Sequence, residues 1–130
     1  MLIDTSGFLC LYDSREPLHE KALEFYDSTK IRLTTSYILA EYTALAQVRG
    51  ISRKQIIEFS DQILADDEIR IIWIDENLHR QAVELMKNRS DKNYSLCDAT
   101  SFVVMNESQI SEALTTDKHF EQEGFIRLLK

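Results

Sequence analysis

Leu2-Ile3-Asp4-Thr5-Ser6 at the start of the chain and Leu114-Thr115-Thr116-Asp117-Lys118 near its end decide how this sequence folds. Each phrase places an aspartate where an apolar, β-like run stops. If the two runs lie side by side in one parallel sheet, residues far apart in sequence deliver two carboxylates to the same edge of the fold. A pocket of that kind calls for a metal ion.

Between the two phrases, strand and helix patterns alternate. Met1 to Asp4 is a short apolar run, and Gly7 to Tyr12 and Leu18 to Asp27 read as helical pieces interrupted by Pro17. Ile31 to Thr35 is strand-like; Ser36 to Val48 then carries Ile38, Tyr42, Leu45 and Val48 at helical spacing, ending at Gly50. Ser52 with Gln55 has the form of a capping box, and Ile56, Phe59, Ile63 and Leu64 continue that helix to about Ala65. Ile69 to Ile74 is a third strand, Asp75 a cap for the helix carrying Leu78, Ala82, Leu85 and Met86, and Asn88 to Tyr94 a polar loop. Ser95 to Met105 reads as a buried helix, Ala113 to Thr116 as a fourth strand and Phe125 to Leu129 as a fifth. This alternation predicts an α/β fold in three α/β/α layers, with a central parallel sheet of about five strands and right-handed crossovers. Function in such sheets gathers outside the carboxyl ends of the strands, near the point where strand order reverses. Asp4 and Asp117 both stand at carboxyl ends.

A length of 130 residues suits one domain spanning residues 1–130, and 44% hydrophobic with 28% charged residues, three Gly and one Pro excludes disordered and low-complexity classes. No apolar stretch approaches the roughly 20 residues of a membrane span, and no leader precedes the first strand, so a cytoplasmic protein is expected. Cys10 and Cys97 lack metal-site or disulfide spacing and read as buried thiols. The formal net charge of −7 is awkward for a nucleic-acid enzyme, because phosphate binding is dominated by Lys and Arg; bound divalent cations would offset part of it.

Two further acids join the pair. Glu41 lies among Ile38, Tyr42 and Leu45 and is expected to face inward or border the core, with no Lys or Arg on that face; a buried carboxylate must be protonated, paired or bound to a cation. Asp98 opens a helix whose next residues are small or apolar. Two carboxylates about 5 Å apart repel by roughly 3 kcal/mol at an effective dielectric near 20, so four at one sheet edge would destabilise an empty fold. Hard divalent cations remove that repulsion, and carboxylates are the ligands that Mg²⁺ and Mn²⁺ prefer. Metals held so can polarise a phosphate and activate water, which fits phosphodiester hydrolysis. The plainer alternative is capping: Asp4 and Asp117 as N-caps, and Ser95 with Asp98 as a capping box. Glu41, in mid-helix, resists that alternative best.

At these residues the chain resembles the PIN-domain family, and specifically the VapC-type toxins of toxin–antitoxin systems. The resemblance covers nearly the whole chain. It rests on Leu2-Ile3-Asp4-Thr5-Ser6-Gly7-Phe8-Leu9, Thr35-Ser36-Tyr37-Ile38-Leu39-Ala40-Glu41, Ser95-Leu96-Cys97-Asp98-Ala99-Thr100-Ser101-Phe102 and Leu114-Thr115-Thr116-Asp117-Lys118-His119-Phe120. It implies a PIN-like fold and Asp4, Glu41, Asp98 and Asp117 as metal-coordinating, catalytic acids, with Thr5, Ser6 and Thr115 as polar supports. It also implies a Mg²⁺- or Mn²⁺-dependent single-strand endoribonuclease, a homodimer, and a small cognate antitoxin. The acidic balance and His119 after the fourth acid depart from the family expectation.

His119 could shuttle a proton or touch a phosphate, whereas His19 and His79 read as solvated surface groups. Arg49, Arg53, Lys54, Lys87, Arg89 and Lys92 flank the acids in sequence, either as an RNA-binding surface or as solvated charge. Tyr12, Phe25, Tyr26 and Tyr42 could stack on bases but are more often core at this spacing. The rival to a nuclease is a catalytically weak or inactive domain acting as a metal-stabilised binding or scaffold protein. A phosphoacceptor receiver is disfavoured because no Lys follows the last strands in the right role. A haloacid-dehalogenase-like phosphatase would want an aspartate at position 6, where Ser6 stands.

Overall fold

A computed structural model describes all of residues 1–130. Five parallel strands form one sheet: β1 (Leu2–Ile3), β2 (Arg32–Thr35), β3 (Ile69–Ile72), β4 (Glu112–Leu114) and β5 (Ile126–Arg127), in the order β3-β2-β1-β4-β5. The helices are α1 (Thr5–Tyr12), α2 (His19–Ser28), α3 (Ser36–Val48), α4 (Arg53–Ala65), α5 (Glu76–Asn88), α6 (Leu96–Glu107) and α7 (His119–Gln122). Consecutive residues Leu2, Ile3, Ala113 and Leu114 are all fully buried, which requires cover on both faces of the sheet. That is the three-layer α/β/α arrangement the alternation predicts.

Local chemistry sets most boundaries. Ser52 and Gln55 exchange the two bonds of a capping box at the start of α4, and Asp75 Oδ1 accepts the Leu78 N–H at 2.8 Å to open α5. Thr35, the last residue of β2, caps α3 through its hydroxyl, which accepts the Ile38 N–H at 3.1 Å. All five strands are shorter than expected: β1 keeps only Leu2 and Ile3, β2 starts at Arg32, Trp73 and Ile74 follow β3 without joining its ladder, Thr115 and Thr116 leave β4 to form the site, and β5 pairs only at Ile126 and Arg127. The single-turn α7 has too few residues for a helical period to register in the sequence.

The sheet reverses direction of growth at β1: the chain builds β2 and β3 to one side, then returns to place β4 on the other. Leu2 pairs with Ala113 and Ile3 with Leu114, and the Asp4 N–H donates to the Leu114 carbonyl at 3.2 Å. The two phrases at opposite ends of the sequence therefore meet at the reversal point, at the carboxyl edge. No helix is long and apolar enough to cross a membrane.

Of the four aromatic residues that could stack on bases, Tyr42 is buried, Phe25 and Tyr26 pack partly buried against the core, and Tyr12 remains 43% exposed. Both cysteines are free and buried. His19 and His79 are half-buried and bonded, Nδ1 of His19 to the Cys10 carbonyl and Nδ1 of His79 to the Tyr37 hydroxyl, so neither is a freely solvated surface group.

Candidate active site

Asp4 stands at the N-cap position of α1 but its side chain makes no capping bond. The carboxylate turns across the sheet edge, and Oδ2 accepts the Thr115 hydroxyl at 2.8 Å. Thr115 Oγ1 lies 3.1 Å from Ser6 Oγ and accepts the Asp117 N–H at 3.0 Å, while Ser6 Oγ accepts the Thr116 N–H at 2.9 Å. With Asp4 ionised the directions are forced. Asp4 can only accept as a carboxylate, so Thr115 spends its one hydrogen there, and Ser6 must donate to Thr115. Two hydroxyls thus tie the start of α1 to the loop after β4. The Thr5 hydroxyl takes no part, being buried without a hydrogen-bond partner, and Thr5 serves Asp4 only through its backbone N–H.

Asp98 is the third residue of α6 and 9% exposed. It completes the capping box, with Oδ2 accepting the Ser95 N–H at 3.0 Å while its own N–H donates to Ser95 Oγ at 3.0 Å. The same Oδ2 lies 3.0 Å from His119 Nδ1. Asp117 stands one residue before Lys118, the N-cap of α7, and its Oδ1 accepts the N–H of His119, the first residue of that helix, at 2.9 Å, so it too serves a helix start with one oxygen. Ligand atoms of Asp98, Asp117 and His119 all lie within 4.8 Å of one another.

Glu41 departs from expectation. Ile38, Tyr42 and Ala46 define the buried stripe of α3, and Glu41 falls on its shoulder, exposed rather than facing inward. It remains close enough to act electrostatically on Asp4 and Cys97. Burial pushes the Asp4 carboxyl up to about 7, against the pull of the Thr115 bond, and the negative charges of Asp98 and Glu41 push the same way. Burial, followed by Glu41, Asp4 and Asp98, also raises the Cys97 thiol, so it stays protonated and inert.

A model of the PIN domain matches residues 1–125. The chain belongs to the PIN domain family. Among curated relatives, the 23S rRNA-specific endonuclease VapC20 of Mycobacterium tuberculosis, from both strain CDC 1551 and strain H37Rv, is 26% identical over 129 residues, covering 98% of this chain and 97% of the relative. The crystal structure of Mycobacterium tuberculosis VapC20, a sarcin–ricin loop cleaving toxin, matches with a TM-score of 0.89 at 25% identity, over 99% of this chain and 98% of that one. A toxin–antitoxin complex from Klebsiella pneumoniae shares the fold, with a TM-score of 0.62 at 16% identity over 90% and 86%.

The donor set of this PIN domain fits a divalent cation. Asp98 and Asp117 each commit one oxygen to the protein, Oδ2 and Oδ1, and keep the other free of hydrogen bonds, while Asp4 accepts the Thr115 hydroxyl on Oδ2 and also takes the Thr5 backbone N–H. Ligand atoms of Asp98 and Asp117 within 4.8 Å of each other, with carboxylate oxygens left free, are a donor set that a hard divalent cation and its water could complete.

Two predictions arise here. Thr115→Val removes the acceptor of the Asp117 N–H and the donor to Asp4, and is expected to cost about 1–3 kcal/mol, whereas Thr115→Ser retains both bonds; denaturant melts of the two variants check this. The pH dependence follows from Asp4. Its folded value lies above its unfolded value near 4, so the stability it contributes is present at low pH and lost as pH rises from about 4 to about 7. In chelator-treated protein that loss is about 1.4 kcal/mol per pH unit within the window. Asp4→Asn is expected to remove this slope in thermal melts, leaving the variant more stable than the parent at pH 7.5 without metal.

Proposed function

We propose that this PIN domain is a metal-dependent endoribonuclease and the toxin of a toxin–antitoxin system. The observation that carries the proposal is the placement of Asp4, Asp98 and Asp117 at the sheet's reversal point: ligand atoms of Asp98 and Asp117 lie within 4.8 Å of each other, and Asp4, outside that group, is joined to the Asp117 loop through Thr115. These three would hold the cation, with Glu41 at the exposed rim, and the all-oxygen character of the acids favours Mg²⁺ or Mn²⁺. A cation bound there would supply charge neutralisation at the scissile phosphate and lower the pKa of water. The protein's own share is orientation: Thr115 and Ser6 fix Asp4, and Ser95 fixes Asp98.

RNA is the proposed substrate, supported by the likeness to an endonuclease specific for 23S rRNA. Hydrolysis would leave a 5′-phosphate and a 3′-hydroxyl. Lys118, exposed beside Asp117 and free of ion pairs, is placed to meet the phosphate backbone. A homodimer, a small cognate antitoxin and a cytoplasmic location belong to the same proposal, the antitoxin being supported by the fold shared with a toxin–antitoxin complex.

One observation favours the scaffold alternative. Arg49, Lys54, Lys87, Arg89 and Lys92 are engaged with Glu16, Glu58, Glu84, Glu123 and Asp91, so most of the basic residues flanking the acids are already neutralised in a chain of net charge −7. The deciding experiment incubates purified protein with total RNA and with intact ribosomes, in Mg²⁺, Mn²⁺ or chelator. Ion-dependent cleavage with 5′-phosphate ends is expected. Failure to cut any RNA with either ion, together with metal-linked thermal stabilisation, would leave the scaffold.

A further inference from the structure

His119 is the one histidine that touches the acid cluster, and it grips two of the acids at once. Its backbone N–H donates to Asp117 Oδ1 at 2.9 Å, and its Nδ1 lies 3.0 Å from Asp98 Oδ2 and 3.5 Å from Asp117 Oδ1. A carboxylate brings no hydrogen to such a contact, so a 3.0 Å approach requires Nδ1 to carry one. A ring nitrogen that carries a hydrogen has no lone pair to offer a cation, so Nδ1 is excluded as a ligand although His119 groups by distance with Asp98 and Asp117.

The effect falls on Asp98. Its Oδ2 already accepts the Ser95 N–H, from the start of α6, and the second donor arrives from α7. Two donors from separate elements saturate one oxygen and fix the plane of the carboxylate, leaving Oδ1 as the only oxygen of Asp98 for a cation. The imidazole is itself held. Tyr94, buried, packs edge-on against it with ring centroids 5.4 Å apart, and Tyr94 in turn packs edge-on against Phe102 at 4.9 Å. An ion pair of 2.9 Å from Arg89 to Glu123 ties the loop preceding Tyr94 to the residue that ends α7.

We propose that His119 is a positioning residue that donates Nδ1–H to Asp98 Oδ2 and selects Oδ1 for the cation, with Nδ1 itself not a ligand. The proposal rests on the cation site proposed above but not on the identity of the substrate. Outer contacts of this type carry about 10–100-fold in metal affinity.

The test is Mn²⁺ titration of the whole protein by calorimetry, without RNA. His119→Leu is expected to bind Mn²⁺ about 10–100-fold more weakly, while His119→Asn, whose amide N–H₂ takes the place of Nδ1–H, stays within about threefold of the parent. In the parent, the imidazole ¹H–¹⁵N spectrum is expected to keep the Nδ1–H resonance of His119 in saturating Mg²⁺. Loss of that resonance, or His119→Leu binding within about threefold of the parent, overturns the proposal; if His119→Leu does not fold, the spectrum of the parent decides. Should the parent cleave no RNA while the titrations follow the expected pattern, the nuclease proposal falls and the role of His119 stands. A parent that binds neither ion overturns both.

Discussion

Asp98→Asn is expected to lower RNA cleavage by about 10²–10³-fold while leaving the fold intact. The two halves of that outcome come from the two oxygens of one side chain. Oδ2 accepts the Ser95 N–H in the capping box of α6, and an asparagine carbonyl can accept the same bond, so the change in stability should stay within about 1 kcal/mol. Oδ1 accepts no hydrogen bond from the protein, and its charge is what a cation would use. Losing one anionic ligand from a site that supplies several kcal/mol of charge stabilisation, at 1.36 kcal/mol per tenfold in rate, gives the stated range. Cleavage assays alongside thermal melts check both halves. A variant that cuts RNA as fast as the parent would mean that Asp98 is a cap and nothing more.

Gly7→Ala is expected to be the most damaging small substitution in the chain. On an exposed helix this exchange stabilises, because alanine loses less backbone entropy than glycine. At position 7 a Cβ would lie 2.1 Å from the Leu114 carbonyl oxygen and 3.3 Å from Ile3 Cγ2. The obstacle is backbone, so α1 must move off β4. That movement strains the Asp4 N–H bond to the same Leu114 carbonyl and separates Ser6 from Thr115. A loss of about 3 kcal/mol, seen as a fall of roughly 10 °C in Tm, is expected, with loss of cleavage beyond what the unfolded fraction explains. A variant as stable as the parent would show that α1 can stand further from the sheet without cost.

The behaviour of the four acids shows how far the sequence alone could be read. For Asp98 the capping and metal-binding alternatives look exclusive in sequence, yet a carboxylate has two oxygens and the structure assigns only one of them to the cap. Asp4 has the sequence position of a cap, but its side chain turns instead to Thr115, a partner that exists only because β4 lies beside β1. Glu41, the acid that resisted the capping alternative best, is the one that proves exposed, because the spacing of Ile38, Tyr42 and Leu45 places the buried stripe without fixing which residue at its shoulder is covered. Arg49 and Arg89 flank the acids in sequence, but their partners, Glu16 and Glu123, lie more than 30 residues away. No local pattern could have shown that these cations are already paired.

The order of strands and helices, their capping residues and the placement of acids where strands end and helices begin follow from sequence alone, because hydrophobic period and cap chemistry act over three or four residues. What required the tertiary structure was everything that depends on β1 lying against β4: the necessity of glycine at position 7, the hydroxyl chain from Ser6 through Thr115 to Asp4, and the grip of His119 on Asp98 and Asp117. Those features are set by the approach of two segments from opposite ends of the chain, and a distance of that kind is not written in the spacing of residues along either one.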